Sequence, residues 1–186
     1  RHSYQGGYTH ANSTLMGQEC GETVAVDLAS SYPSSMLQFT YPMSTFHELS
    51  YELTPEDLDK CIGHVHFFVS FIAEAVSRYP FPYISRSKVT SITDPVVDNG
   101  RVFSATRMCL TMTDVDWQIF RRCYDVESIE IANVRVASAD YLPAPITDSI
   151  VSMYGDKTAL KGVAGQEVNY QNAKVNVNGV YGSISM

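Results

Sequence analysis

The sequence predicts an α+β fold, and three observations carry that reading. Residues 65 to 75 form a dense apolar run with the length of a buried strand, and Val126 to Val136 alternates apolar and polar residues as a strand does. Apolar residues at helical spacing recur in Trp117, Phe120 and Tyr124. Two further helical stretches close the chain.

In chain order, Thr23 to Val26 is a short β-branched run that ends at Asp27, and a helix is expected from Ser34 onward, after Pro33. Strand, turn and helix follow one another there. Tyr51 to Thr54 and Pro55 to Leu58 predict a loop and a short acidic turn, and Cys61 to Ala75 predicts a core strand. Tyr79-Pro80-Phe81-Pro82-Tyr83 excludes helix, because two prolines remove donors and push their predecessors toward extended geometry. The stretch from there to Gly100 is expected as loop or edge strand. Thr113, with Asp116 three residues on, is a capping-box-like start for the helix of Trp117, Phe120 and Tyr124. Helices are predicted over Asp148–Lys161 and Gln166–Tyr181, the second rich in Asn and Val and so dependent on packing.

Composition narrows the function classes. The chain has 186 residues, 45% of them hydrophobic and 18% charged, which is enough apolar material for a core and excludes a disordered tail. No run approaches the roughly 18 apolar residues of a membrane span. The first residue is Arg1, no charged-then-apolar leader is visible, and a piece of a longer protein in the cytoplasm is the expectation. Thirteen basic against twenty acidic residues give a net charge of −7, so contact with nucleic acid has to be local. Basic residues gather at Arg86 and Lys88, at Arg121 and Arg122, and at Lys157, Lys161 and Lys174. Cys20, Cys61, Cys109 and Cys123 are widely spaced, which argues against a zinc knuckle and requires no disulfide framework. No repeat or Gly/Ser linker divides the chain, so one compact unit is the simplest reading.

Two constellations bear chemistry. Lys174, Asn178 and Tyr181 fall within an arc of about 60° on one helix face, at 100° per residue. An ammonium, an amide and a phenol in a row suit a phosphate and a planar base, with Gly179 and Gly182 allowing close approach; a solvated helix face has the same spacing. Asp27 ends its apolar run beside Tyr32, where a carboxylate holds Mg²⁺ or serves as a turn Asp. His64 and His66 share one strand face without a third ligand at a recognisable spacing, and either core or surface histidines or a metal pair fits.

Taken in order, Tyr4-Gln5-Gly6-Gly7, Asp27-Leu28-Ala29-Ser30-Ser31-Tyr32-Pro33 and Lys174-Val175-Asn176-Val177-Asn178-Gly179-Val180-Tyr181-Gly182 resemble three motifs of family B DNA polymerases. The resemblance is to the protein-primed branch of bacteriophages and linear plasmids. The first element resembles the Tyr-x-Gly-Gly link between exonuclease and polymerase domains. The second resembles palm motif A, Asp-x-x-Ser-Leu-Tyr-Pro, and the third fingers motif B, Lys-x-x-x-Asn-Ser-x-Tyr-Gly. Ser31 stands where the family has Leu, and Gly179 where it has Ser.

The resemblance implies a partial polymerase palm, an antiparallel sheet with helices, bearing an inserted α/β subdomain and the start of the fingers helices. It divides the chain into residues 1–83 with the linker motif and motif A, the branch-specific insertion at 84–146, and the fingers helices with motif B at 147–186. It implies that Asp27 and the Leu28 carbonyl bind a catalytic Mg²⁺ or Mn²⁺. Tyr32 would select deoxyribose, Lys174 would pair with the triphosphate, and Asn178 and Tyr181 would line the nascent base pair. Ser30 would help to position substrate and DNA or the priming protein, and Tyr4, Gly6 and Gly7 would contact the template strand. The implied partners are deoxynucleoside triphosphates, primer-template DNA and a terminal priming protein, with self-association of the piece through exposed apolar surface. No Asp-Thr-Asp palm motif occurs in these 186 residues, so they are expected to be inactive alone. The alternative is a non-catalytic module that binds DNA or the terminal protein.

Overall fold

The computed structural model describes residues 15–28 and 30–184; for residues 181, 183 and 184 it describes the backbone. Tyr4, Gly6 and Gly7 lie outside the described residues. The expected α+β class holds: a largely antiparallel sheet is combined with five α-helices among the described residues.

The sheet is organised around three long strands, β3 (Val65–Ser77), β6 (Arg101–Thr113) and β7 (Tyr124–Asp140). The short strands β1 (Tyr41–Pro42), β2 (His47–Glu48), β4 (Ser91–Thr93) and β5 (Val96–Asp98) complete it. The order is β1-β7-β3-β6-β4, with β2 also on β7 and β5 also on β6. β3 is therefore central and pairs antiparallel with both long neighbours, Phe71 facing Leu110 on one side and Ile131 on the other. Its Phe67, Val69, Phe71, Ala73 and Ala75 are all buried, because every second side chain points to the same face. Opposite them, Ser70 and Thr111 hydroxyls share a hydrogen bond of 2.8 Å on the half-buried face.

Two helices close the buried face. The helix α2 (Pro55–Cys61) starts with a capping box in which the Thr54 hydroxyl accepts from Asp57 N–H and the Asp57 carboxylate accepts from Thr54. The helix α3 (Asp114–Cys123) is capped by Thr113, whose hydroxyl accepts from Asp116 N–H at 3.2 Å. Leu58 of α2 with Trp117 and Phe120 of α3 joins Phe67, Phe71 and Met108 in one core. Phe71 meets the Trp117 ring edge-on at 5.3 Å. The Asp59 carboxylate ties the helices together, accepting from Trp117 Nε1 at 2.8 Å and from Arg121 at 3.1 Å.

Several expectations need correction. Residues 23–28 form no strand, and Val24 and Val26 are 85% and 88% exposed. A β-branched run becomes a strand only where a neighbour completes its ladder, and none of the described strands pairs with it. The first helix, α1 (Ser31–Gln38), begins before Pro33 rather than after it, since proline fits the first turn, where its missing N–H is not needed. Residues 55–61 are a helix and not merely a turn. Tyr124 opens β7 instead of ending α3, and His64 sits in the turn before β3, off the strand that carries His66. The strand β6 escaped the sequence reading, although Asn99-Gly100, both at positive φ, marks its hairpin with β5.

The chain forms two compact units. One contains Pro42–Ala139, with the sheet core and α2 and α3; the other joins Gly17–Tyr41 to residues 140–184. The second contains α1 together with α4 (Ala144–Leu160) and α5 (Glu167–Ile184), which pack on one another. Among the described residues, Pro33 and Met36 of α1, Ile150 of α4 and Val177 of α5 are buried in it. No linker composition marks this division because the second unit is assembled from segments about a hundred residues apart in the chain. Among the described residues no helix is long and apolar enough to cross a membrane.

Candidate functional site

Every described residue of the two chemistry-bearing segments lies in the second unit. Asp27 lies in a segment without regular secondary structure, exposed, and its carboxylate makes no ion pair or hydrogen bond among the described residues. Leu28 beside it is 75% exposed. The chain then turns through Ser30, whose φ of 50° and ψ of 51° are left-handed, before α1 begins. Tyr32, in the first turn of that helix, is 54% exposed while Pro33 and Met36 point inward.

On α5 the geometry follows the helical period. Val177 is buried, and Lys174 and Asn178, one turn apart, are exposed, with no ion pair or hydrogen bond from their side chains among the described residues. Tyr181 continues the helix. Gly179 and Gly182 lie in its interior, and a Cβ at either position would meet nothing within 4 Å among the described residues. Each helical glycine costs about 1 kcal/mol against alanine, and packing within the described chain does not require these two. Because α1 packs on α5, the fold brings the helix bearing Tyr32 against the helix bearing Lys174 and Asn178.

Lys157 was not among the predicted site residues. It stands on α4 and its Nζ donates to Ser30 Oγ at 2.5 Å, with the ammonium 4.7 Å from the Tyr154 ring centroid. The sequence signal was its membership of the basic cluster with Lys161 and Lys174.

The other acidic pairs are occupied by the fold. Asp114 lies 3.0 Å from His66 Nδ1, and Asp116 accepts from the Thr113 hydroxyl at 2.9 Å and from Tyr83 Oη at 2.5 Å. Burial first, then the Asp116 acceptor, pushes the Tyr83 phenol well above its ordinary range. Asp57 caps α2, where the Thr54 hydroxyl and Lys60 hold its carboxyl below the usual range, and Asp59 joins Trp117 and Arg121. No group of three or more His, Cys, Asp or Glu among the described residues could hold a metal ion. Clefts of about 310 Å³ and 290 Å³ in the sheet unit are lined by none of the predicted site residues. Asp27 is an exposed hard oxygen ligand, the type Mg²⁺ prefers, and it could hold such an ion only within a shell completed by other oxygens.

Comparison of the fold with solved structures finds phi29 DNA polymerase. The orthorhombic crystal form of that enzyme matches with a TM-score of 0.73 and 20% identity, over 100% of this chain and 30% of the polymerase. The structure complexed with primer-template DNA and incoming nucleotide substrates matches with a TM-score of 0.69 and 20% identity, over 97% and 29%. The structure complexed with single-stranded DNA gives 0.67 and 19%, over 97% and 28%. No protein-family model matches the sequence, and no curated protein does. The chain spans about three-tenths of the length of these polymerase structures and has the fold of that portion of phi29 DNA polymerase.

Proposed function

We propose that this chain is the central part of a protein-primed, family B DNA-directed DNA polymerase. One observation carries the reading: a match over the whole chain to phi29 DNA polymerase coincides with the packing of α1 on α5, the helices that bear Tyr32 and Lys174. Family assignment rests on Asp27-Leu28-Ala29-Ser30-Ser31-Tyr32-Pro33 and Lys174 to Gly182, in that order. Residues 1–83 are read as linker and palm, 84–146 as the insertion facing DNA and the terminal protein, and 147–186 as fingers.

In this reading Asp27 and the Leu28 carbonyl hold one Mg²⁺ or Mn²⁺, which neutralises charge developing on the triphosphate during in-line displacement. Lys174, whose side chain has no partner among the described residues, pairs with the triphosphate; Tyr32 packs under the sugar and excludes a 2′-hydroxyl. Asn178 and Tyr181 line the nascent base pair, and the space beside Gly179 and Gly182 admits it. Ser30 shapes the turn between metal ligand and Tyr32. Tyr4, Gly6 and Gly7 contact the template strand. The second carboxylate of a two-metal site comes from elsewhere in the full-length protein, because no Asp-Thr-Asp motif occurs in these 186 residues. The 186 residues alone are inactive on this reading, and the working site is cytoplasmic.

The test is Asp27→Ala in the full-length protein, assayed for templated deoxynucleotide incorporation with Mg²⁺ or Mn²⁺ and for primer-template binding. Synthesis is expected to fall below about a thousandth of wild type, with DNA affinity within a few-fold. Equal loss of synthesis and DNA binding would refute the metal role. A non-catalytic module that binds DNA or the terminal protein is the second reading, favoured by Ser31 and Gly179 where the family has Leu and Ser. That reading predicts indifference to Asp27→Ala.

A further inference from the structure

We propose that Lys157 is a positioning residue that holds the Ser30 turn, and through it Tyr32, in the geometry that discriminates the sugar. The inference rests on the polymerase reading above and extends it to a residue which that reading leaves unused.

Ser30 precedes α1 as its N-cap, where a serine normally has extended backbone and accepts from the first free N–H groups. Here it does neither. Its φ of 50° is left-handed, a conformation that a residue with a Cβ disfavours, and its hydroxyl makes no capping bond. The hydroxyl accepts instead from Lys157 Nζ at 2.5 Å. The ammonium is fixed from a second side by the Tyr154 ring, 4.7 Å away and one turn back on α4. Lys157 is half-buried and engaged, whereas Lys174 is exposed and makes no side-chain bond among the described residues, so the two lysines have different work. The Ser30 carbonyl accepts the first helical bond, from Ser34 N–H at 3.0 Å, so the first turn of α1, which contains Tyr32, starts from this strained residue. A disfavoured backbone persists only where its surroundings over-determine it, and the charged hydrogen bond from Lys157 supplies that here.

The experiment uses the full-length protein with Lys157→Met, Ser30→Gly and the double substitution. Two quantities are read: the ratio of kcat/KM for a deoxynucleoside triphosphate to that for its ribonucleotide, and hydrogen exchange at the Ser34 amide. Lys157→Met is expected to lower the ratio about tenfold and speed Ser34 exchange about tenfold, the scale of one left-handed residue's disfavour. Glycine adopts this φ without penalty, so Ser30→Gly in the Lys157→Met background is expected to return both quantities to within about twofold of wild type. Failure of that rescue, or a Lys157→Met effect on KM that deoxy and ribo substrates share equally, would overturn the proposal and make Lys157 a plain phosphate contact. If the wild-type protein incorporates no templated nucleotide, the polymerase reading fails, and Ser34 exchange decides the Lys157 support by itself: unchanged exchange in Lys157→Met refutes it.

Discussion

Tyr124→Phe removes one oxygen from the sheet unit and exposes how the strand β6 is seated. Tyr124 is 1% exposed, and its Oη donates to the Val102 carbonyl at 2.7 Å while accepting from Ile84 N–H at 3.1 Å. Val102 N–H in turn donates to the Ile84 carbonyl at 2.8 Å. The hydroxyl thus completes an antiparallel pair whose second direct bond is missing, and Ile84 and Val102 are themselves fully buried. Phenylalanine keeps the ring contact with Phe120 at 5.4 Å but leaves one N–H and one C=O without a partner. Each such group costs about 1–3 kcal/mol, so a total loss of about 2–4 kcal/mol is expected after partial relaxation. In a unit of this size that lowers Tm by roughly 10–20 °C.

The same hydroxyl predicts an alkaline signature. Burial pushes the Tyr124 phenol from its ordinary value of 10.0 up to about 12. Between those values the unfolded chain has released a proton that the folded chain retains. The stabilisation is therefore complete below pH 10 and is lost as pH rises through about 12, with a slope of about 1.4 kcal/mol per pH unit. Tyr83, shifted in the same direction, adds to the wild-type slope. Urea unfolding followed by fluorescence of Trp117, the one tryptophan of the chain and fully buried in this unit, measures both effects. A Tyr124→Phe variant within about 0.5 kcal/mol of wild type, with the alkaline slope intact, would refute the argument.

Asp59→Ala takes the acceptor from Trp117 Nε1 and both Arg121 contacts, and is expected to cost about 1–3 kcal/mol with a shifted Trp117 emission in the folded state. An unchanged urea midpoint would show that α2 and α3 are held by apolar packing alone. Tyr32→Val in the full-length protein is expected to raise ribonucleotide incorporation by about tenfold or more while leaving the unfolding midpoint nearly unchanged, because this ring is 54% exposed. Sugar discrimination equal to wild type would remove Tyr32 from the proposed site.

What could be read from the chain was set by local periodicity. The strand through Phe67, Val69 and Phe71 and the helix through Trp117 and Phe120 were legible because burial repeats every two or about every four residues, and Thr113 marked where that helix starts. The helices α4 and α5 were placed to within a few residues at either end, although Ile150 and Val177 are their only buried side chains among the described residues. Thr23 to Val26 misled because β-branched side chains state only a preference, and a strand exists only with a neighbour to pair. The strand β6 was passed over because its alternation is carried by Met108, Leu110 and Met112 among threonines and an arginine, and its register shifts partway along β3.

The site divides in the same way. The amino-acid sequence by itself determined which groups are offered: a carboxylate at Asp27, a ring at Tyr32, and Lys174, Asn178 and Tyr181 on one helical face, since side-chain identity and a 100° step need no tertiary information. Tertiary structure alone decided which of them are engaged. It gathered segments about a hundred residues apart into one unit, left Asp27 and Lys174 without side-chain partners among the described residues, and consumed Asp114 and Asp116 as supports for α3. It also placed Lys157 on the Ser30 hydroxyl, a contact across 127 positions that no spacing rule reaches, because hydrogen bonds depend on distance in space and not along the chain.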